Sequence, residues 1–270
     1  MQRDSIQNTL LVAFVLCVVC SVLVSGAAVG LRGIQEQNRV LDRQKNVLLA
    51  AQLLKREEAT NEKVAAVYAE KIEPELIDLE TGQPVSADDV EFDIAAYDQK
   101  AASKSPDLSE PIASEDDVAG IKRREKYAFV YKVKNESGDV QQLVLPIYGK
   151  GLWSTLYGFL ALQADGNTVD GITYYDQKET PGLGGEVENP KWQAMWVGKT
   201  VYGTDGGVEL SVIKGQVDPT GQAAEHQIDG LSGATITSKG VSNMIHFWLG
   251  PQGFGPYLEK FRDGEGGQGG

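Results

Sequence analysis

The sequence predicts an α+β protein, with one N-terminal transmembrane helix and a helical stalk followed by a twisted antiparallel sheet with a few helices. Three observations lead to this class. Residues 10–31 form an apolar run without charge. Residues 126–175 contain stretches rich in β-branched and aromatic residues, separated by Gly, Asn and Asp turns. Apolar residues recur with helical spacing between positions 241 and 248.

The composition argues against nucleic-acid binding and against a disulfide framework. The chain has 270 residues and a formal net charge of −13, which disfavours binding to nucleic acid because phosphates require a basic surface. Its two cysteines, Cys17 and Cys20, both lie in the apolar run, so neither a disulfide framework nor a cysteine metal site is available elsewhere. We interpret both as small apolar side chains within a helix.

The apolar run from Leu10 to Leu31 is long enough to cross a bilayer, since a helix rises about 1.5 Å per residue against about 30 Å of hydrocarbon. A cleaved signal peptide is the alternative, with Ser25-Gly26-Ala27 as the small-residue site. We favour an uncleaved span, because the run exceeds a usual signal-peptide core. Basic residues are more frequent after the span than before it, which by the positive-inside rule favours a cytoplasmic domain.

Four regions are expected along the chain. Residues 1–32 form the N-terminal segment and the span, and residues 33–125 form a helical stalk and an acidic linker or peripheral segment. The stalk is predicted from Gln35 to Ile72, with a helix docked on its own domain as the alternative, and Glu73-Pro74 ends it. Residues 78–117 are interpreted as a loose acidic linker. Residues 126–262 form the compact domain, and residues 263–270 form a flexible Gly-rich tail.

Within the compact domain the pattern predicts successive strands and two helices. Strands are expected at 127–133, 140–148, 156–164, 169–175 and 208–214, with hairpin turns at 135–139 and 165–167. Asn189-Pro190 is typical of a helix start, and this helix is expected to reach Trp196. The last helix carries one apolar face and ends at Gly250-Pro251.

The stretch from Asp229 to Thr237 is a run of small and hydroxyl residues that leads directly into the last helix. Free backbone N–H groups and the helix dipole favour an anion at such a position, so the stretch is a candidate phosphate site. An ordinary capped helix start is the alternative from the pattern alone.

The same stretch resembles the flavinylation motif of the FMN-binding family, Asp-x-x-(Ser/Thr)-Gly-Ala-Thr, through Asp229, Ser232, Gly233, Ala234 and Thr235. In that family a flavin transferase joins FMN through its phosphate to the threonine hydroxyl. The resemblance therefore implies a covalent FMN on Thr235.

Two further segments resemble the same family. One is Gly149-Lys150-Gly151-Leu152-Trp153, and the other is Glu179-Thr180-Pro181-Gly182-Leu183-Gly184. Trp153 offers a flat face for the isoalloxazine ring, Thr180 offers a polar contact and Leu183 an apolar one, whereas a core aromatic and an ordinary turn are the alternatives. The predicted cofactor-binding residues are Thr235, Ser232, Gly233, Ala234, Thr237, Trp153, Glu179, Thr180, Leu183 and Lys214.

Other polar residues receive weaker assignments. Thr237 is the local competitor of Thr235 for the flavin. Lys214 either lies near the phosphate or ends a solvated strand. Neither His226 nor His246 has a metal-ligand partner at suitable spacing, so no metal site is predicted. No catalytic acid, base or nucleophile is predicted either.

The segment 247–258 narrows the resemblance to C subunits of the Na⁺-translocating NADH:quinone reductase family, with the G subunit of Rnf-type complexes and a scaffold without flavin as alternatives. The resemblance implies a bacterial inner-membrane protein with its flavin domain on the periplasmic side, against the charge pattern. It implies electron relay from an iron–sulfur centre of the D and E subunits to the FMN of the B subunit. Expected partners are the A, B, D, E and F subunits, the flavin transferase and membrane lipid.

Overall fold

The computed structural model describes residues 6–264, so the predictions for residues 1–5 and 265–270 lie outside the described residues. The chain divides into two units, one ending at Arg43 and the other beginning at Gln44. The first unit consists of most of helix α1, which spans Ile6–Ala50. Within the described residues, this is one helix whose length and apolar composition suit a membrane span, and the side chains of its apolar stretch are not buried.

The second unit contains nine strands and five further α-helices among its described residues. The strands are β1 Ile72–Asp78, β2 Ser109–Pro111, β3 Arg123–Glu125, β4 Tyr127–Lys134, β5 Val140–Lys150, β6 Thr155–Gln163, β7 Val169–Asp176, β8 Ser211–Val212 and β9 Gln227–Ile228. The helices are α2 Asn61–Lys71, α3 Gln99–Ala102, α4 Pro190–Gln193, α5 Thr235–Leu249 and α6 Gly255–Arg262. Short 3₁₀ turns lie at Arg56–Glu58, Ala87–Asp89, Ile94–Ala96, Gly184–Glu188, Ala194–Trp196 and Ala224–His226.

Five strands form one antiparallel sheet in the order β1-β4-β5-β6-β7. Side chains alternate along β6, so Leu160 and Leu162 face one core while Phe159 and Ala161 face the other. Helix α5 packs in the first core through Val241, Met244, Ile245 and Trp248. The predicted α+β class is therefore confirmed, together with strands β4 to β7 and the apolar face of the last helix.

The predicted stalk differs from the structure in two ways. The helix does not run from Gln35 to Ile72, because α1 ends at Ala50 and α2 begins at Asn61. In addition, Val47 and Leu48 at the end of α1 are fully buried in the second core, as expected for the alternative of a helix docked on its own domain. Burying these side chains against the sheet contributes a favourable free energy of about 25 cal/mol per Å² of apolar surface.

The expectation of a loose linker over residues 78–117, with a compact domain starting at 126, was wrong. Strand β1 belongs to the main sheet and pairs with β4 along its whole length. Tyr97 is buried in the second core and donates its hydroxyl hydrogen bond to the carbonyl of Tyr127 at 2.8 Å. Several acidic side chains accept hydrogen bonds from turn N–H groups, as Asp93 does from Ala95 and Asp98 from Ala101. The acidic composition therefore reflects turn formation rather than disorder.

The predicted strand over residues 208–214 is also shorter than expected. Only Ser211–Val212 is a strand, and it pairs in parallel with β9. Its neighbour Leu210 is buried, so the apolar residues of this stretch serve packing rather than ladder formation.

Candidate functional site

Helix α5 begins at Thr235, two residues after Gly233 of the turn Ser232-Gly233. The turn needs a glycine at position 233, where φ is +71° and a side chain would be strained. Ala234 precedes the helix and supplies no capping side chain. Its methyl group is buried, whereas Ser232 and Thr235 are exposed. The start of α5 therefore combines first-turn N–H groups without a side-chain cap and an exposed hydroxyl.

A cavity of about 230 Å³ opens beside Thr235. Lys214 lines it from the end of the β8 segment, and Lys239 lines it from α5, one helical turn after Thr235. No acidic side chain lines this cavity, and neither lysine has an ion-pair partner among residues 6–264. In a chain with a net charge of −13, two unpaired cations beside a helix N-terminus form a local site for an anion.

The carboxylate of Glu179 joins the three sequence motifs. It accepts hydrogen bonds from the N–H groups of Leu152, Trp153 and Ser154 at 3.2, 2.9 and 3.2 Å. It also accepts one from the hydroxyl of Thr237 at 2.7 Å. Glu179 itself is only 5% exposed. The residue therefore connects the loop that carries Trp153 to the first turn of α5.

These hydrogen bonds keep Glu179 ionised. Burial raises the pKa of its carboxyl, but the hydrogen bonds from Thr237, Trp153, Ser154 and Leu152 together lower it more, and the net pKa lies below its ordinary value. The site thus contains a buried negative charge whose acceptor capacity is used by the chain itself.

Glycines at three positions allow these elements to approach one another. A Cβ on Gly151 would lie 2.7 Å from Glu179 Oε1, and a Cβ on Gly184 would lie 2.6 Å from Thr237 Oγ1. A Cβ on Gly240 would lie 2.3 Å from the carbonyl oxygen of Lys150, at the end of β5. All three distances are far below ordinary carbon contacts, so the site geometry depends on glycine at these positions.

Large apolar side chains are exposed on the motifs that meet here. Trp153 is 67% exposed and Ile236 is 60% exposed, and Leu152 and Leu183 are also exposed. Leu183 lies against the turn, because a Cβ on Gly233 would meet its Cδ2 at 2.9 Å. Exposed aromatic and aliphatic groups of this kind are typical of a surface that binds an apolar ligand or a partner.

The predicted site residues thus separate into two groups. Thr235, Lys214, Ser232, Gly233, Trp153, Leu183 and Thr180 lie at the surface or line the cavity, while Ala234, Glu179 and Thr237 are buried. Thr237 is 1% exposed and its hydroxyl is bonded to Glu179, so it does not compete with Thr235 for an external group. The three motifs meet through the contacts of Glu179, which the sequence did not predict.

Other polar residues named from the sequence serve the loops. Asp229 accepts the N–H of Val217 at 2.8 Å, which holds the preceding loop in place. His226 is buried beside the carbonyl of Thr200, and His246 donates Nε2–H to the carbonyl of Leu210. Among residues 6–264 no cluster of three metal-ligating side chains is found.

Lys239 and Gly240 also belong to this site but are absent from the residues predicted from the sequence. Lys239 follows Thr235 by four residues on a predicted helix, and this spacing places both on one face, so a signal was present. For Gly240 the signal was absent, because the contact with Lys150 depends on how α5 crosses β5.

Comparison with known proteins supplies the family context for this geometry. The FMN-binding domain family matches residues 151–250, which contain all ten predicted cofactor-binding residues. The chain is 49% identical to the C subunit of the Na(+)-translocating NADH-quinone reductase of Pseudomonas aeruginosa, over 97% of this chain and 98% of that protein. It is 50% identical to the corresponding C subunit of Pasteurella multocida, over 97% and 96% of the two chains.

Solved structures give the same fold. The crystal structure of NqrC from Shewanella oneidensis superposes with a TM-score of 0.73 and 33% sequence identity, covering 85% of this chain and 99% of that chain. The C subunit of the Na(+)-translocating NADH-quinone reductase from Parabacteroides distasonis superposes with a TM-score of 0.63 and 27% identity, covering 84% and 96%.

Proposed function

Because this chain belongs to the family of C subunits of the Na⁺-translocating NADH-quinone reductase, we propose that it carries an FMN joined through its phosphate to the hydroxyl of Thr235. As a member of this family it is part of an oxidoreductase complex and contains an FMN-binding domain. The covalent attachment, the site residues and the electron route are the proposal.

The observation that carries the proposal is the contrast between the two threonines of the motif. Thr235 is exposed at the first position of α5 and lines the cavity with Lys214 and Lys239. Thr237 lies two residues later, is 1% exposed and donates its hydroxyl to Glu179. Only the first hydroxyl can therefore reach a phosphoryl group without unfolding the helix start.

The residues around Thr235 fit both ends of an FMN. The two lysines and the first-turn N–H groups offset the negative charge of the phosphate. Trp153 and Leu183 supply apolar contact area on the adjoining loops, which suits the flavin ring. Glu179 holds the Trp153 loop and the helix start together from beneath the surface.

In the assembled complex we assign this chain an electron-relay role, in which a bound FMN would connect an iron–sulfur centre of the D and E subunits with the FMN of the B subunit. When bound, FMN supplies the electron-transfer chemistry, because it accepts and donates single electrons. The chain's own residues bind and orient it. The A and F subunits are further expected partners, and a flavin transferase is expected to load the cofactor.

The membrane helix completes the assignment. Helix α1 is long and apolar enough to anchor the chain as a single-pass protein. We place it in the bacterial inner membrane, in contact with lipid, with the flavin domain on the periplasmic side. A phosphoester bond would retain the cofactor there, where a dissociating flavin would be lost.

Intact mass spectrometry after co-expression with a flavin transferase tests the attachment. The full-length chain should gain the mass of FMN minus water, Thr235→Ala should not, and Thr237→Val should. The Thr237→Val variant keeps the shape of the side chain and is the matched control. A flavin-sized mass gain in Thr235→Ala, or its absence from the wild-type chain, would overturn the proposal.

A further inference from the structure

A second buried carboxyl group lies outside the candidate flavin site. Glu125, the last residue of β3, is 0% exposed. One carboxylate oxygen accepts a hydrogen bond from Gln99 Nε2 at 2.5 Å, and the other accepts the hydroxyl of Tyr148 at 2.5 Å. Both donors are neutral, so neither offsets a negative charge on Glu125.

Among residues 6–264, no basic side chain forms an ion pair with Glu125. The neighbouring Arg124 directs its guanidinium to the carbonyl of Gln252 at 2.6 Å and towards Glu110 at 4.0 Å. Lys100 forms an ion pair with Asp176 and lies 3.8 Å above the ring of Tyr157.

Among the described residues, the phenols of Tyr97, Tyr148 and Tyr157 also interact electrostatically with Glu125. Burial raises the pKa of Glu125 from 4.5 to about 7, although the hydrogen bonds from Tyr148 and Gln99 and the charge of Arg124 act in the opposite direction. The carboxyl group therefore changes charge near neutral pH.

Glu125 also connects segments that lead to the loop of Trp153. Its side chain joins α3, through Gln99, to β5, through Tyr148. Tyr148 is followed by Gly149 and Lys150, after which the loop begins. The segment that leads into β3 also contacts the end of β5, because the N–H of Lys150 donates a hydrogen bond to the carbonyl of Ala119 at 2.8 Å.

We propose that Glu125 is a proton-dependent switch: in its protonated form it holds residues 97–125 against β5, and its ionisation loosens this segment and the Trp153 loop at the end of β5. An ionised carboxylate in this position gains solvation when the segment opens, whereas a protonated one does not. The switch is independent of the flavin, so it operates in the chain whether or not Thr235 is modified.

The opening is measured by hydrogen exchange of the full-length chain in detergent, corrected for the intrinsic pH dependence of exchange. If Glu125 has its ordinary pKa in the open form, opening should increase about tenfold between about pH 6 and about pH 8.5. The increase should appear in peptides covering residues 97–125 and 148–154. Peptides from β6 and β7 should show no such change.

Two variants separate the switch from a general effect of pH. Glu125→Gln keeps the size and an acceptor oxygen but cannot ionise, and its exchange in both regions should be independent of pH. Glu110→Gln removes an exposed carboxylate from the neighbouring strand and should behave as the wild type. A tenfold response that persists in Glu125→Gln would overturn the proposal.

A spectroscopic measurement on the wild-type chain does not depend on how well the variant folds. Infrared difference spectra between about pH 6 and about pH 8.5 should show the loss of a buried protonated carboxyl band, since the group titrates near neutrality. Absence of that band at the lower pH would show that Glu125 is already ionised and would equally overturn the switch.

Discussion

Replacing Glu179 tests how the candidate flavin site is held together. In the wild type, one buried carboxylate accepts three backbone N–H groups from residues 152–154 and the hydroxyl of Thr237. Glu179→Ala removes all four contacts at once. Thr237→Val removes one of them and leaves the other three, so it is the natural comparison.

The expected cost follows from the groups that lose their partner. A buried donor without an acceptor costs about 1–3 kcal/mol, and breaking a buried charged network costs about 3–5 kcal/mol in total. Leu152 and Trp153 are exposed, so water can reach part of the loop, and we expect Glu179→Ala to lower the free energy of unfolding by about 3–4 kcal/mol. Thr237→Val should cost about 1 kcal/mol.

Urea titration of the full-length chain in detergent, followed by tryptophan fluorescence, measures these differences. The pH dependence gives an independent check. Because the pKa of Glu179 lies below its ordinary value in the folded state, its contribution is present above the ordinary carboxyl range. It should be lost as the pH falls through the folded-state pKa, and this acid-dependent loss should be absent from Glu179→Ala.

A Glu179→Ala variant as stable as the wild type would contradict this role of Glu179. The role would also be refuted if Thr237→Val cost as much as Glu179→Ala, since the hydroxyl contact alone would then account for the effect. Glu179→Gln should lie between these two variants, because it retains one acceptor oxygen but brings an NH₂ group towards the N–H donors.

Three further predictions follow from individual contacts. Glu125→Gln should raise the free energy of unfolding at about pH 8.5 by about 3 kcal/mol. The reason is that the folded-state pKa of Glu125 is raised from 4.5 to about 7, so the wild type loses stability as the pH rises through this range. In urea titrations near about pH 4 the difference between the two proteins should vanish. Gly240→Ala should destabilise the chain by about 1–2 kcal/mol, because the new methyl group would lie 2.3 Å from a β5 carbonyl oxygen. This cost is expected to exceed the gain of about 1 kcal/mol from the higher helix propensity of alanine. A net gain in stability would contradict the packing of α5 on β5. In protein without covalent flavin, Lys214→Met and Lys239→Met should each reduce the preference for FMN over riboflavin by about fivefold, or about 1 kcal/mol, in fluorescence titrations. If the affinities for FMN and riboflavin fell equally, the lysines would not contact the phosphate.

Much of the fold could be predicted from local sequence patterns. The apolar run predicted a helix long enough to cross a membrane, and the structure has that helix within α1. Alternation and turn residues predicted β4 to β7, because hairpin strands and their turns are encoded over short stretches of chain. The three motifs indicated the residues of the candidate site, and Glu179, which belongs to one motif, contacts the other two segments.

Long-range pairings were not predictable in the same way. Strand β1 is not predicted from the sequence, because nothing local to Ile72–Asp78 indicates its partner residues in β4, which lie 49 to 61 residues later. The acidic composition of the segment that follows, residues 78–117, predicts a linker instead. Asp93 and Asp98 accept hydrogen bonds from turn N–H groups, and Tyr97 is buried because the sheet offers it a surface.

The sequence by itself determined the apolar helix that is long enough to cross a membrane, the antiparallel hairpins and the motif that contains Thr235, since each depends on residues close together in the chain. Only the tertiary structure decided which threonine is accessible, why Glu179 is ionised and how Glu125 comes to be buried. The physical reason is that exposure and charge depend on what packs against a side chain. In this protein the deciding neighbours come from 23 to 58 residues away.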